Sequence, residues 1–262
     1  MTGEQLGQLK NWLRDYADGF IARADNPEAH ILKKAHTIRV CREIVDLGQA
    51  LGLGRAELLL AEAAACLHDA GRFRQMAQYG TFVDDLSEDH ARIGLRVMEE
   101  EGLLVGFSDR EAGILRTAVA CHNVAVVPEL ADETALLFVR LLRDADKLDI
   151  WRVVTSDYRL GDKATPDFVR LGLADNGGYS AEALQAVMAQ RLVNKAEITC
   201  LNDFKLMQIS WVFDLNFAPS VRAVAARGYI PAILATLPEA EELRAIRDRV
   251  EAYMAAFSPD IS

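Results

Sequence analysis

Apolar residues recur at spacings of three and four through most of this chain, and no stretch keeps strand-like alternation beyond a few positions. That pattern predicts helices packed on helices, an all-α fold. Ile31, Ala35, Ile38, Cys41 and Val45 mark one stripe of a helix over about 27–51, with Pro27 suited to its first turn and Gly52 and Gly54 punctuating its end. A helix over about 4–24 precedes it, and another runs from Arg55 to about Ala70. The next segment, GRFRQMAQYGTFVDDLSEDH, has two glycines and three aromatics without a sustained period, and reads as a structured loop. Ser87 is placed to cap a helix through Glu101, and Ser108 to cap one carrying EAGILRTAVACHN. Pro128 and Asp132 mark a turn before the apolar helix ETALLFVRLLRDADKLDIWRVVTS. After a break near 160–166, helical patterns return over about 181–193, 200–216, 219–236 and 239–257.

With 262 residues, 51% of them hydrophobic, the chain has material for a substantial core without help from disulfides. Cys41, Cys66, Cys121 and Cys200 are widely spaced, with no CxxC pair, and read as reduced, mostly buried thiols in a cytoplasmic protein. The start MTGEQLGQLKNWLRDY lacks the basic and apolar regions of a secretory signal. LLLAEAAACL is interrupted by charge well short of the roughly 20 residues a membrane span needs. A net charge of −10, with no basic stripe interleaved with aromatics, argues against general nucleic-acid binding. A small phosphorylated partner stays compatible, because bound cations and a few arginines reverse the potential locally.

Four of the five histidines, His36, His68, His90 and His122, lie in contexts that can be read together. His68 and Asp69 end an apolar helix, where adjacent side chains about 100° apart can meet one site from two sides. His36 lies within the long second helix, His122 follows LRTAVAC, and Asp144 and Asp146 interrupt LLFVRLLRDADKLDIW. An ionised aspartate on a packed apolar face is costly unless a cation or several donors compensate it. Convergence on a metal ion would do so, and imidazole with carboxylate suits Mn, Fe, Co or Zn better than calcium. Separate hydrogen-bonded or solvated groups are the competing reading.

The order His36, His68-Asp69, Asp146 resembles the defining motif of the HD-domain superfamily. HDAGRFRQMAQYGTFVDDLSEDHA, CHN, RDADKLDI and WVFDLNF are similar to a group of bacterial HD proteins of largely undefined function. The resemblance implies an HD-domain helical core with additional C-terminal helices. We read one domain over 1–262, with a metal-binding core at about 25–158 and a helical extension at about 159–262. It further implies one or two divalent transition metals: His36, His68, Asp69 and Asp146 would hold one, His90 and His122 the second, with Asp69 bridging. Asp144 and Asp149 would support these ligands.

Between the ligand groups, Arg72 and Arg74 are candidates to neutralise phosphate, Gln75, Tyr79 and Thr81 to fix a polar group, and Phe82 to wall the pocket. Lys147 is a further candidate phosphate contact, and Asp69, Arg72 and Lys147 are the candidate catalytic residues. Local ion pairs are the other reading of Arg72, Arg74 and Lys147. Asp84, Ser87 and Asp89 are candidates to orient ligands and loop, and Trp211, Phe213 and Phe217 to close core or pocket. The function expected is metal-dependent hydrolysis of a nucleotide or another small phosphate ester. A non-haem diiron oxygenase and a non-catalytic ligand-binding regulator are the alternatives, and the helical surfaces are compatible with a homo-oligomer.

Overall fold

The computed structural model describes residues 1–160 and 172–257, and every regular element among them is helical. In chain order these are α1 (Gly3–Arg23), α2 (Glu28–Ala50), α3 (Arg55–Leu67), α4 (Ala70–Tyr79), α5 (His90–Glu100), α6 (Asp109–Cys121) and α7 (Glu133–Leu160). They are followed by α8 (Ala181–Met188), α9 (Leu201–Ser210), α10 (Ala218–Arg227), α11 (Tyr229–Leu234) and α12 (Glu241–Phe257). The chain divides into two compact units, Met1–Asp149 and Ile150–Ser262, with the boundary inside α7. Most of the break expected near 160–166 lies outside the described residues.

The first unit is organised around α3. Ala63, Ala64, Ala65, Cys66 and Leu67 are all completely buried, so this helix has no solvent face over its last five residues. Its small side chains let α1, α2 and α6 pack against it. The expected helix to about Ala70 in fact ends at Leu67, and the backbone leaves helical geometry at Asp69 (φ −103°, ψ 13°). His68 and Asp69 therefore occupy a joint between two helices rather than a continuous turn.

The segment read from sequence as a loop forms α4 over its first half, Ala70–Tyr79. The helix is only ten residues long, and its buried positions include Gly71 and Gln75 as well as Ala70 and Phe73, so counting apolar residues misses its face. Gly80, at φ +68°, stops it in a left-handed conformation that favours glycine. Gly71 lets α4 cross α5 at backbone contact: a Cβ there would lie 2.0 Å from the His90 carbonyl oxygen. The cap of α5 is Asp89, whose carboxylate accepts from Arg92 N, and not Ser87 as the sequence suggested. Ser87 instead donates to the Val83 carbonyl and packs its hydroxyl against Gln75. Ser108 caps α6 in a reciprocal pairing with Glu111, and Asp132 accepts from Thr134 N and Ala135 N at the start of α7.

In the second unit α9 is buried over its whole length, with α8 and α11 against it. The helix expected over 200–216 ends at Ser210 and tightens into a 3-10 turn at Trp211–Asp214. That expected over 219–236 is divided by Gly228 at φ +65°. All four cysteines are free and buried. No described helix is long and apolar enough to cross a membrane.

Candidate metal centre

Five elements of the first unit deliver the polar cluster. His36 projects from α2, His68 and Asp69 from the joint between α3 and α4, His90 from the first turn of α5, His122 from the end of α6, and Asp146 from α7. The four imidazoles and Asp69 are buried, while the Asp146 side chain keeps 17% exposure. Each imidazole is held through Nδ1. His68 and His122 close the ends of their helices, each Nδ1 lying 2.7 Å from the carbonyl three residues earlier, Ala65 and Val119. His36 Nδ1 lies 2.7 Å from Asp149 Oδ2, and His90 Nδ1 lies 3.0 Å from both oxygens of Asp84. Because every Nδ1 faces an acceptor, each ring in its neutral form carries its proton on Nδ1 and turns an Nε2 lone pair to the centre.

Those lone pairs converge. His36 Nε2 and His68 Nε2 each lie 3.5 Å from Asp69 Oδ2, and 3.0 and 3.7 Å from Asp146 Oδ1. On the other side of the same carboxylate, His90 Nε2 and His122 Nε2 lie 3.6 and 4.0 Å from Asp69 Oδ1. His36 Nε2 and His68 Nε2 are buried without a hydrogen bond, and His90 Nε2 faces His122 Nε2 at 3.0 Å. Two lone pairs at that separation repel, and two carboxylates beside them deepen the negative field, so the arrangement calls for cations at its centre. Bond lengths of about 2.0–2.2 Å to a transition metal place neighbouring ligand atoms about 3–3.5 Å apart, in line with these distances. The residues present thus fit a metal: His36, His68, Asp69 and Asp146 as one group, and His90, His122 and Asp69 as the other. Asp69 offers a different oxygen to each.

The charges obey the same logic. Burial alone would raise Asp69, but Lys33, His68, His90 and Arg72 hold its carboxyl well below the usual range. Burial would also raise Asp146, and His36 and His68 override it in the same way. Burial and Lys33 push His36 down, yet Asp146 and Asp149 outweigh them and raise it: the pocket favours positive charge at that imidazole. Burial, with His90 and His68 nearby, pushes His122 down to about 3, so it stays neutral and ready to ligate.

Around the cluster, Arg72 Nη1 donates to Gln75 Oε1, the Phe82 carbonyl and Asp84 Oδ1, while its Nε lies 3.7 Å from Asp69 Oδ1. Gln75 is fully buried and donates to Asp84, Ser87 and the Glu88 carbonyl, bracing the segment that leads into His90. Phe82 is buried under two cations, with Lys33 and Arg72 centred 5.5 and 5.8 Å from its ring. Arg74, two positions from Arg72 and so on the opposite side of α4, is bonded to Glu100. Tyr79 ends α4 half exposed, and the Thr81 hydroxyl accepts from Val83 N within its own turn. Lys147 is buried on α7 next to Asp146. Asn123 donates to Asp89, tying the end of α6 to the start of α5 and so His122 to His90.

Three basic residues near the cluster are not among those singled out from the sequence. Lys33, one turn before His36, donates to Asp69 Oδ2 at 2.7 Å. Arg39 grips both oxygens of Asp149, behind His36. Arg143, buried, donates to the carbonyls of Cys121, His122 and Val124, anchoring the end of α6. The spacing of Lys33 and Arg39 from His36, three residues either way, was the available signal, since i±3 residues share a helix face.

No curated protein and no solved structure matches the chain. A family model does: residues 34–151 match the HD domain. The match spans all six histidine and aspartate ligand candidates, from His36 to Asp146. Over residues 34–151 this chain is similar to the HD domain.

Proposed function

We propose that the protein is a metal-dependent phosphohydrolase acting on a nucleotide or another small phosphate ester, with a centre of two divalent ions. The observation that carries this reading is the convergence of four Nε2 atoms on the two oxygens of one buried carboxylate, Asp69, with cationic Lys33 and Arg72 beside it. Mn, Fe, Co or Zn suits the donors and, when bound, supplies Lewis acidity toward water and a phosphoryl oxygen. His36, His68, Asp69 and Asp146 hold one ion, and Asp69, His90 and His122 the other. Arg72 is fixed by Phe82, Gln75 and Asp84 beside Asp69, and serves as the permanent positive wall for a substrate anion. Lys147, next to Asp146 on α7, is a further cation offered to phosphate.

A panel of phosphate monoesters, diesters and nucleotides, assayed with Mn, Co, Zn and anaerobically loaded Fe, tests the reading together with Asp69→Asn. Phosphate release by the wild-type protein is expected, with Asp69→Asn losing both metal content and at least about 100-fold in turnover. Full turnover of Asp69→Asn at unchanged metal content overturns the assignment. Oxygen consumption by the iron-loaded protein without phosphate release selects the diiron oxygenase instead. Tight ligand binding without turnover in every metal state selects the regulator.

A further inference from the structure

We propose that Lys33 is a placeholder cation: it occupies Asp69 Oδ2 in the metal-free protein, gives that oxygen up on metal uptake, and, kept beside the Phe82 ring it already covers, turns to bind a phosphoryl oxygen of the substrate. The inference rests on the metal-dependent reading above and adds a residue and a partner exchange to it.

Lys33 Nζ lies 2.7 Å from Asp69 Oδ2, the oxygen that His36 Nε2 and His68 Nε2 both face at 3.5 Å. An ammonium and a divalent ion on one oxygen repel each other, so the bond to Lys33 opposes metal uptake at the first group of ligands. The neighbouring cation behaves differently. Arg72 is pinned by Gln75, the Phe82 carbonyl and Asp84, and leaving would break all three bonds at once. Lys33 reaches the centre on a flexible four-carbon stem, and its side chain is more exposed than that of Asp69, 17% against 4%. Its ammonium lies 5.5 Å from the centroid of Phe82, the same ring that Arg72 covers at 5.8 Å. That ring gives the displaced ammonium an attractive surface beside Arg72. A phosphate held between the two cations would lie next to Asp69, on which the candidate metal ligands converge.

A merely structural lysine would weaken every function of the site when removed. A placeholder gives opposite signs. Calorimetric titration of Co2+ into Lys33→Met is expected to show about tenfold tighter binding than wild type, and inorganic phosphate titrated into the Co2+-loaded protein about tenfold weaker binding. Lys33→Arg is expected to keep phosphate affinity within a few-fold of wild type. Unchanged or weaker Co2+ binding by folded Lys33→Met, with the wild type binding normally, overturns the inference and leaves the metal-dependent reading intact. Failure of the folded wild type to bind Co2+, Mn2+ or Zn2+ overturns both. If Lys33→Met does not fold, acetic anhydride footprinting of the wild-type protein decides. Acetylation of Lys33 is expected to rise on Zn2+ loading and to fall again when inorganic phosphate is added. Labelling that ignores both additions overturns the exchange.

Discussion

Each half of the centre pairs an imidazole backed by a carboxylate with one backed by a carbonyl: His36 on Asp149 with His68 on Ala65, and His90 on Asp84 with His122 on Val119. A carboxylate behind Nδ1 makes Nε2 the stronger donor, so Asp149 and Asp84 tune opposite ends of the centre. Replacing either by asparagine keeps its size and removes its charge. Asp84→Asn is expected to lower affinity about 10–100-fold for the ion held by His90 and His122, and Asp149→Asn by a similar factor for the ion held by His36, His68 and Asp146. Metal content measured against added Zn2+ checks this: each variant should saturate one equivalent at wild-type concentration and the second only at higher concentration. Equal loss of both equivalents in both variants would show that the halves do not act separately. Of the candidate ligands, His36, His68, Asp69, His122 and Asp146 stood out in the sequence as polar residues in or at the end of apolar helical stretches, where burial has to be compensated, whereas His90 came only with the family resemblance. Lys33, Arg39 and Arg143 were not, because basic residues are ordinary on helix surfaces and only the fold decides which of them turn inward.

At the scale of elements, the centre depends on how closely α4 and α5 cross. Gly71 faces the first turn of α5, and a Cβ there would come within 2.0 Å of the His90 carbonyl oxygen and 2.6 Å of Gly94 N. Both are backbone atoms and cannot rotate away. Gly94, on the other side of the crossing, would place its Cβ no closer than 3.5 Å to any neighbour, an ordinary contact. The two glycines therefore make a matched pair of tests. Gly71→Ala is expected to cost about 1–3 kcal/mol or more through overpacking, and to shift His90 enough to lose one metal equivalent. Gly94→Ala is expected to be neutral or to stabilise α5 by up to about 1 kcal/mol. Urea unfolding with metal analysis of both variants checks it, and equal behaviour of the two would refute the argument. This crossing also explains what the sequence did not disclose. The helices with long apolar stripes, such as α2 and α7, were legible from their periodicity. α4 was not, because Gly71 and Gln75 occupy buried positions that in most helices belong to aliphatic residues. The break between α3 and α4 was hidden for a similar reason: it falls at the candidate ligands His68 and Asp69, not at a glycine or proline.

Across the whole molecule, burial of the histidines sets how the metal-free protein responds to acid. His122 is pushed down to about 3 by burial and by His90 and His68, and His90 is lowered by burial and Arg72. His30, stacked between Phe20 and Phe73, is lowered by burial too, although its bond to the Phe73 carbonyl opposes this. A histidine lowered on folding binds more protons when unfolded, so stability rises with pH between the folded and unfolded values. Acidification below the ordinary histidine value of about 6.5 therefore withdraws the stability of the folded state. His36 is raised and works in the opposite direction, with a contribution complete below about 6.5 and lost as pH climbs through its folded value. The lowered carboxylates Asp69, Asp84, Asp146 and Asp149 begin to count only below about pH 4, where their unfolded forms take up protons. Between about pH 4 and 6.5 the three lowered histidines therefore act almost alone, the contribution of His36 being constant there. The melting temperature in EDTA is thus expected to fall steadily from pH 7 to pH 5. His122→Asn, which keeps an amide in place of the imidazole, should flatten that fall. Saturating Zn2+ should raise the melting temperature at pH 7 and lose its effect toward pH 5, because protons and metal compete for the same Nε2 atoms. A metal-free melting temperature that holds level or rises between pH 7 and 5 would mean that the imidazoles admit protons freely, and would contradict a cluster sealed from water and poised for metal.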